Sequence, residues 1–217
     1  MHPHFVHLCP QSPLMLPSPP ILLITDRAQA RGDLASILDA AFGAGLRWAS
    51  VREKDLPEAE QLALVRRLLP IARTHGARLT LHGTPALAAE AGVDGVHLAS
   101  GSDAREARAL LGPGALVGLS IHSEAEVRAA PPEANYLIAA PAFATASKPG
   151  YGPALGHDGL ARFARSTLLP VLALGGIDAE AMRICHKSGV SGVAVMGGVM
   201  RAADPAAEAR GLLAAWG

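Results

Sequence analysis

Between Ile21 and the end of the chain, short apolar runs of strand length alternate eight times with Ala/Leu/Glu/Arg-rich stretches of helix length. The pattern predicts strands at Ile21–Thr25, Arg47–Arg52, Arg78–Leu81, Gly95–Leu98, Leu116–Leu119, Asn135–Ala139, Pro170–Leu174 and Gly192–Val195. Helices are expected near Asp33–Ala44, Pro57–Thr74, Pro85–Ala91, Ala104–Leu111, Ser123–Ala130, Asp158–Ala164, Asp178–Lys187 and Pro205–Ala215. Several open on an acid, Ser or Pro, which helix N-termini favour, and Gly45, Gly92 and Gly189 fall where a helix must end. Such alternation implies a parallel sheet wrapped in helices. A doubly wound open sheet would alternate too, but eight units without a linker favour an α/β fold of the closed kind, a single (β/α)8 TIM barrel. The barrel domain is expected over residues 21–217. Residues 1–20 mix His, Pro and scattered apolar residues and read as a disordered or extended tail.

Composition narrows the partners. Half of the 217 residues are hydrophobic, and 19 basic residues balance 19 acidic ones. That excludes disorder of the whole chain and a broad basic face for nucleic acid or a membrane surface. No apolar run approaches the roughly 20 residues that span a bilayer. Cys9 and Cys185 make neither a disulfide framework nor a zinc site, so a cytoplasmic, reducing setting is expected. Oligomeric state is open, a homo-oligomer included.

In a barrel of this kind, chemistry gathers at the strand C-termini and the loops that follow. After the second strand, Ser50, Arg52 and Lys54 share one face, and Val51 and Glu53 the other. Two cations at a barrel mouth call for an anionic ligand; the alternative is a solvated strand end paired with Glu53 or Asp55. Gly175-Gly176 and Gly197-Gly198 follow the seventh and eighth strands, where barrels of this class hold phosphate against backbone N–H groups. His122, just past the fifth strand, carries an imidazole, a side chain suited to moving protons, although a surface or capping role would explain it as well. His82 ends the third strand and is a candidate pocket residue. His97, inside an apolar strand, reads as an inner-barrel histidine. The loop Thr145–Gly152, with Thr145, Ser147 and Lys148, suits either a lid that donates hydrogen bonds or a plain flexible connection.

Together these segments resemble the thiamine phosphate synthase/TenI family. The resemblance rests on Ile24-Thr25-Asp26, Arg52-Glu53-Lys54, Asp94-Gly95-Val96-His97-Leu98, Gly118-Leu119-Ser120-Ile121-His122-Ser123, the Thr145–Lys148 loop, Leu174-Gly175-Gly176-Ile177 and Val193-Ala194-Val195-Met196, in that order. It implies a phosphate-binding enzyme of thiamin biosynthesis acting on a small thiazole phosphate. The family has two branches. The synthase joins a pyrimidine diphosphate to a thiazole phosphate with magnesium held by carboxylates after strands three and four. Here Ser50 replaces a Gln, His82-Gly83 replaces Asn-Asp, and Ala99-Ser100-Gly101-Ser102 pushes Asp103 one position late. The TenI branch, which tautomerises a carboxythiazole phosphate without metal, is the better match to the Gly after His82, Ser100-Gly101-Ser102 and Ser120-Ile121-His122-Ser123.

The resemblance therefore implies His122 as acid and base, and Arg52, Lys54, His82 and Ser120 in the pocket. Thr145, Ser147 and Lys148 join from the loop, Gly175, Gly176, Gly197 and Gly198 hold the phosphate, and no cofactor is needed. The first alternative is a magnesium-dependent synthase with a metal site rebuilt on Asp103 or Asp26. The second is a non-catalytic regulator or carrier that binds a thiamin precursor. Another phosphate-binding isomerase barrel, of sugar or amino-acid metabolism, is the third.

Overall fold

Strands that turn alternate side chains to opposite faces can bury both faces only if helices cover one of them and the sheet closes upon the other. A computed structural model of the chain describes residues 15–144 and 153–217, and it shows this solution. Strands β1 (Ile21–Ile24), β2 (Trp48–Val51), β3 (Arg78–His82), β4 (Gly95–Leu98), β5 (Leu116–Ile121), β6 (Tyr136–Ala139), β7 (Val171–Leu174) and β8 (Gly192–Val195) close in sequence order. Every neighbouring pair is parallel, including β8 with β1 through Leu22↔Ala194. The expected TIM barrel is the fold, with strand ends moved by a residue or two.

The outer layer comprises α1 (Leu34–Gly43), α2 (Glu58–Thr74), α3 (Pro85–Ala91), α4 (Ala104–Leu111), α5 (Glu124–Ala129), α6 (Gly156–Arg165), α7 (Ala179–Ser188), α8 (Gly197–Arg201) and α9 (Pro205–Trp216). Capping fixes where several begin: Asp33, Thr84, Asp103, Ser123, Asp178 and Asp204 each accept a first-turn backbone N–H. One helix, α8, has no counterpart in the sequence pattern, and α6 starts at Gly156 rather than Asp158.

Two hydrophobic clusters follow from strand alternation. The larger joins outward residues such as Leu23, Val51, Leu81 and Val193 to the helices. The smaller fills the barrel with Leu22, Ile24, Trp48, Leu116, Tyr136, Ile138, Leu172 and Ala194. Leu16 packs against this inner cluster, and the Pro20 carbonyl accepts from Val193 N–H. Leu16 and Pro20 thus lie against the floor of the barrel, where Leu16 covers an apolar opening. Residues 1–14 lie outside the described part.

Inside the barrel Trp48 meets Tyr136 edge to face, with ring centroids 4.7 Å apart. Gly118 makes room for this pair, since a Cβ there would fall within the Tyr136 ring. We expect Gly118→Ala to cost about 1–3 kcal/mol in urea unfolding through overpacking. Gly114→Ala, built into open space, should change stability by no more than about 0.5 kcal/mol. Equal effects from the two would remove the Tyr136 packing as the cause.

Candidate active site

All strand C-termini open at one end of the barrel, and there a cavity of about 440 Å³ is lined by the ends of β1, β2, β3, β6, β7 and β8. Arg52 lines it from the end of β2. Its backbone is fixed by a buried relay: the Arg52 N–H donates to Thr25 Oγ1 (2.9 Å), and the Thr25 hydroxyl donates to Glu53 (2.7 Å). Glu53 is 2% exposed and also accepts the Arg27 backbone N–H and pairs with the Arg27 guanidinium. Asp55 pairs with Arg27 as well. The two acids that could have neutralised Arg52 and Lys54 locally are thus directed to Arg27. Lys54, exposed just beyond the strand, joins Arg52 in acting electrostatically on His97, which places both cations at the barrel mouth.

Four of the predicted polar residues converge below and beside these cations. His82 lines the cavity and lies against His97, ring centroids 4.7 Å apart. His97 is fully buried, and its Nε2 is 2.9 Å from Ser120 Oγ. Burial first, and then the Lys54 and Arg52 charges, push the His97 imidazole down to about 3, so it is neutral. Two residues after Ser120, His122 stands at the rim. Ser123 caps α5, and Glu126 reaches back to accept the His122 N–H (2.6 Å), a capping arrangement that fixes the backbone at 122. The cap itself is Ser123, not His122. The ring Nδ1 of His122 lies 3.1 Å from the carbonyl of Ala140, which belongs to the cavity wall. A carbonyl only accepts, so Nδ1 donates in this contact.

Gly175, Gly176, Gly197 and Gly198 all line the same cavity. Gly176 has φ +64°, and a side chain there would collide with the Ala144 carbonyl, so both backbone conformation and space require glycine. Asp178 also lines the cavity, but its carboxylate caps α7 through Glu180 N–H and Ala181 N–H, occupying that helix terminus. The sequence pattern gave no reason to place Arg201 and Glu208 here; both line the cavity. Thr145, Ser147 and Lys148 lie outside the described residues.

Carboxylates for a magnesium ion are not assembled. Asp26 accepts from Ala28 N–H and from Gln29, and Asp103 caps α4 through Arg105 N–H. The end of β3 offers His82-Gly83. Among the described residues no three His, Cys, Asp or Glu side chains are grouped so as to hold a metal ion. A magnesium ion is commonly held by one or two carboxylates together with substrate phosphates, and the acids nearest the mouth, Asp26 and Asp103, are engaged by their own loop and helix cap. No described helix is long and apolar enough to cross a membrane.

The family model for thiamine monophosphate synthase (TMP-TENI) matches residues 21–199. A putative thiamine-phosphate synthase of Geobacter sulfurreducens is 39% identical over 197 residues, covering 89% of this chain and 92% of that protein. The thiamine-phosphate synthase of Anaeromyxobacter dehalogenans is 40% identical over 181 residues, covering 82% and 80%. Among solved structures, a thiamine phosphate pyrophosphorylase from Pyrococcus furiosus superposes with a TM-score of 0.79 at 27% identity, covering 90% of this chain and 94% of that one. These names speak for the transferase expectation and lend nothing to the isomerase one.

The neutral His97 makes stability depend on pH. The unfolded imidazole takes up a proton near pH 6.5, the folded one only near 3, so the unfolded chain binds more protons in between. Stability should therefore fall as pH drops through that window, by up to about 1.4 kcal/mol per pH unit from this group. Urea unfolding of the wild type and of His97→Gln at several pH values isolates the contribution. Two parallel stability–pH curves would show that His97 does not make it.

Proposed function

The chain belongs to the thiamine monophosphate synthase/TenI family of thiamin-biosynthesis enzymes, and on that premise we propose that it aromatises a phosphorylated carboxythiazole by acid–base catalysis at His122. The observation that supports this reading is the contact between His122 Nδ1 and the carbonyl of Ala140, a residue that lines the cavity together with all four glycines.

The reaction moves one double bond from outside the thiazole ring into it. His122 Nε2 takes the ring proton, and the electron pair left behind forms the ring double bond. The exocyclic carbon then receives the proton from the same nitrogen. Atoms and charge balance with no co-reactant, and aromaticity drives the conversion. Through the Nδ1–H bond the Ala140 carbonyl holds the ring in place and stabilises the imidazolium present between the two transfers. Arg52, its backbone fixed by Thr25, meets the substrate carboxylate with two parallel donors. Ser120, braced by neutral His97, borders the ring. The phosphate rests on the backbone of the two Gly-Gly loops.

A second reading, a synthase condensing a pyrimidine diphosphate with the thiazole phosphate, is favoured by the names of relatives 39% and 40% identical to this chain. It would need Asp26 or Asp103 to leave its loop or helix cap for a magnesium ion, or the cations at the mouth to neutralise the diphosphate.

Paired assays separate the two. Thiazole isomerisation in the presence of a chelator is expected, and magnesium-dependent release of pyrophosphate is not; the opposite result would establish the synthase. His122→Ala should slow isomerisation at least ~100-fold, the lower range for general acid–base catalysis, with phosphate binding nearly unchanged. Undiminished turnover in that variant would take the proton-carrier role from His122.

A further inference from the structure

Arg201 is the last residue of α8, and its side chain lines the cavity. Its guanidinium occupies the space a side chain at Gly197 would need, because a Cβ built there would collide with Nη1, Cζ and Nη2. Gly197 is not among the glycines with positive φ, so the backbone does not demand glycine at this position. The space is taken instead by the guanidinium, the movable end of a long side chain. From the other side, Arg201 Nη1 donates to Gln29 Oε1, and the Gln29 amide donates to the Asp26 carboxylate. The chain Asp26–Gln29–Arg201 thus ties the loop after β1 to the Gly197-Gly198 loop after β8. Among the described residues Arg201 pairs with no carboxylate: Asp178 is committed to its cap, and Glu208 stands on the Gly198 side, its Oε1 3.1 Å from where a Cβ of Gly198 would lie.

We propose that Arg201 is an anion-anchoring residue of this site, closing on the substrate's phosphoryl group against the Gly197-Gly198 loop, and that position 197 is glycine to seat it. The inference rests on the reading that the substrate is phosphorylated, and deepens it: the phosphate is held by a side-chain cation as well as by backbone N–H groups. A guanidinium offers five donors in a planar fork, of which Gln29 engages Nη1; two parallel bonds to phosphate oxygens suit the remainder. Glu208 opposes the same anion, so affinity reflects the balance between the two side chains.

Calorimetric titration of the full chain with inorganic phosphate tests this. Arg201→Met should weaken phosphate binding roughly tenfold or more, the range for losing a hydrogen bond to a charged group. Gly197→Ala should weaken it similarly with Arg201 intact, and the double variant should be little worse than either single one. Glu208→Gln should tighten binding. Matching thermal unfolding of the variants shows that the fold is kept, and binding of a non-phosphorylated thiazole alcohol should be unaffected by Arg201→Met. If the wild type binds phosphate and Arg201→Met binds it equally well, the anchoring role is overturned while the phosphorylated-substrate reading stands. If the wild type and the His122→Ala variant both bind no phosphate, that reading fails and the anchor with it.

Discussion

Parallel pairing around a closed circle is the constraint from which everything else in this chain follows. The ladder from β8 back to β1 (Ile21↔Val193, Leu22↔Ala194, Leu23↔Val195) leaves no sheet edge, and because all neighbours run the same way every strand ends on the same side. A polar residue at the end of any strand is therefore delivered to one mouth regardless of its distance in sequence. Arg52 and Arg201 reach one cavity because β2 and β8 both flank β1.

Closure also divides the strand residues by parity. On β2, Trp48 belongs to the inner cluster while Ala49 and Val51 belong to the outer one, so Ser50 and Arg52 continue the inner face toward the mouth. The inner face is not uniform. Apolar residues fill most of it, Trp48 of β2 and Leu116 of β5 among them, whereas β2, β3 and β4 also carry buried Ser50, Thr80 and His97. An interior with both characters can lay an aromatic ring against apolar wall while polar groups meet its heteroatoms. Glu53 has the opposite parity and is turned away from the cavity, where Thr25 O–H and Arg27 N–H satisfy its carboxylate. A buried charge is tolerated in this position because those donors and the Arg27 guanidinium surround it.

These arrangements were unequally legible in the sequence. The strands announce themselves because burial on both faces makes nearly continuous apolar runs, and Gly176 because positive φ leaves few alternatives to glycine. His122, His82, Ser120 and the Gly-Gly pairs follow from a single rule, that the rim lies at the strand ends. What the rule misses is short or indirect. Five residues, Gly197–Arg201, are too few to show helical periodicity, and two glycines at their head read as a loop. Arg201 is then an isolated cation with nothing in its neighbours to indicate a cavity, and Glu208 sits on a helix face that looks solvated. Leu16 lies among prolines, where no periodicity marks it as the plug of the barrel floor. Partner choice was hidden too: side-chain alternation put Glu53 opposite Arg52, but only the folded register shows that Arg27 takes both Glu53 and Asp55.

The distinction between the two chemistries of the family turns on few residues, which is why overall identity does not decide it. A diphosphate leaving group concentrates negative charge that a cavity must neutralise, and a hard cation held by carboxylates does so most directly. A tautomerisation separates no such charge; it needs one nitrogen that first accepts and then returns a proton, held at fixed distance from two carbons. The barrel, the Gly-Gly loops and the Arg52 backbone relay suit either purpose, since both substrates carry a phosphate. The ends of β3 and β4 are where the two chemistries differ in what they require. There this chain presents His82-Gly83 and Ser100-Gly101-Ser102, and of its nearby acids Asp26 accepts from its own loop while Asp103 caps α4 through one oxygen. Asp26 would have to give up its loop contacts and Asp103 its helix cap to turn toward a metal, whereas the His122 ring is already held at the rim through Nδ1 and the Ala140 carbonyl.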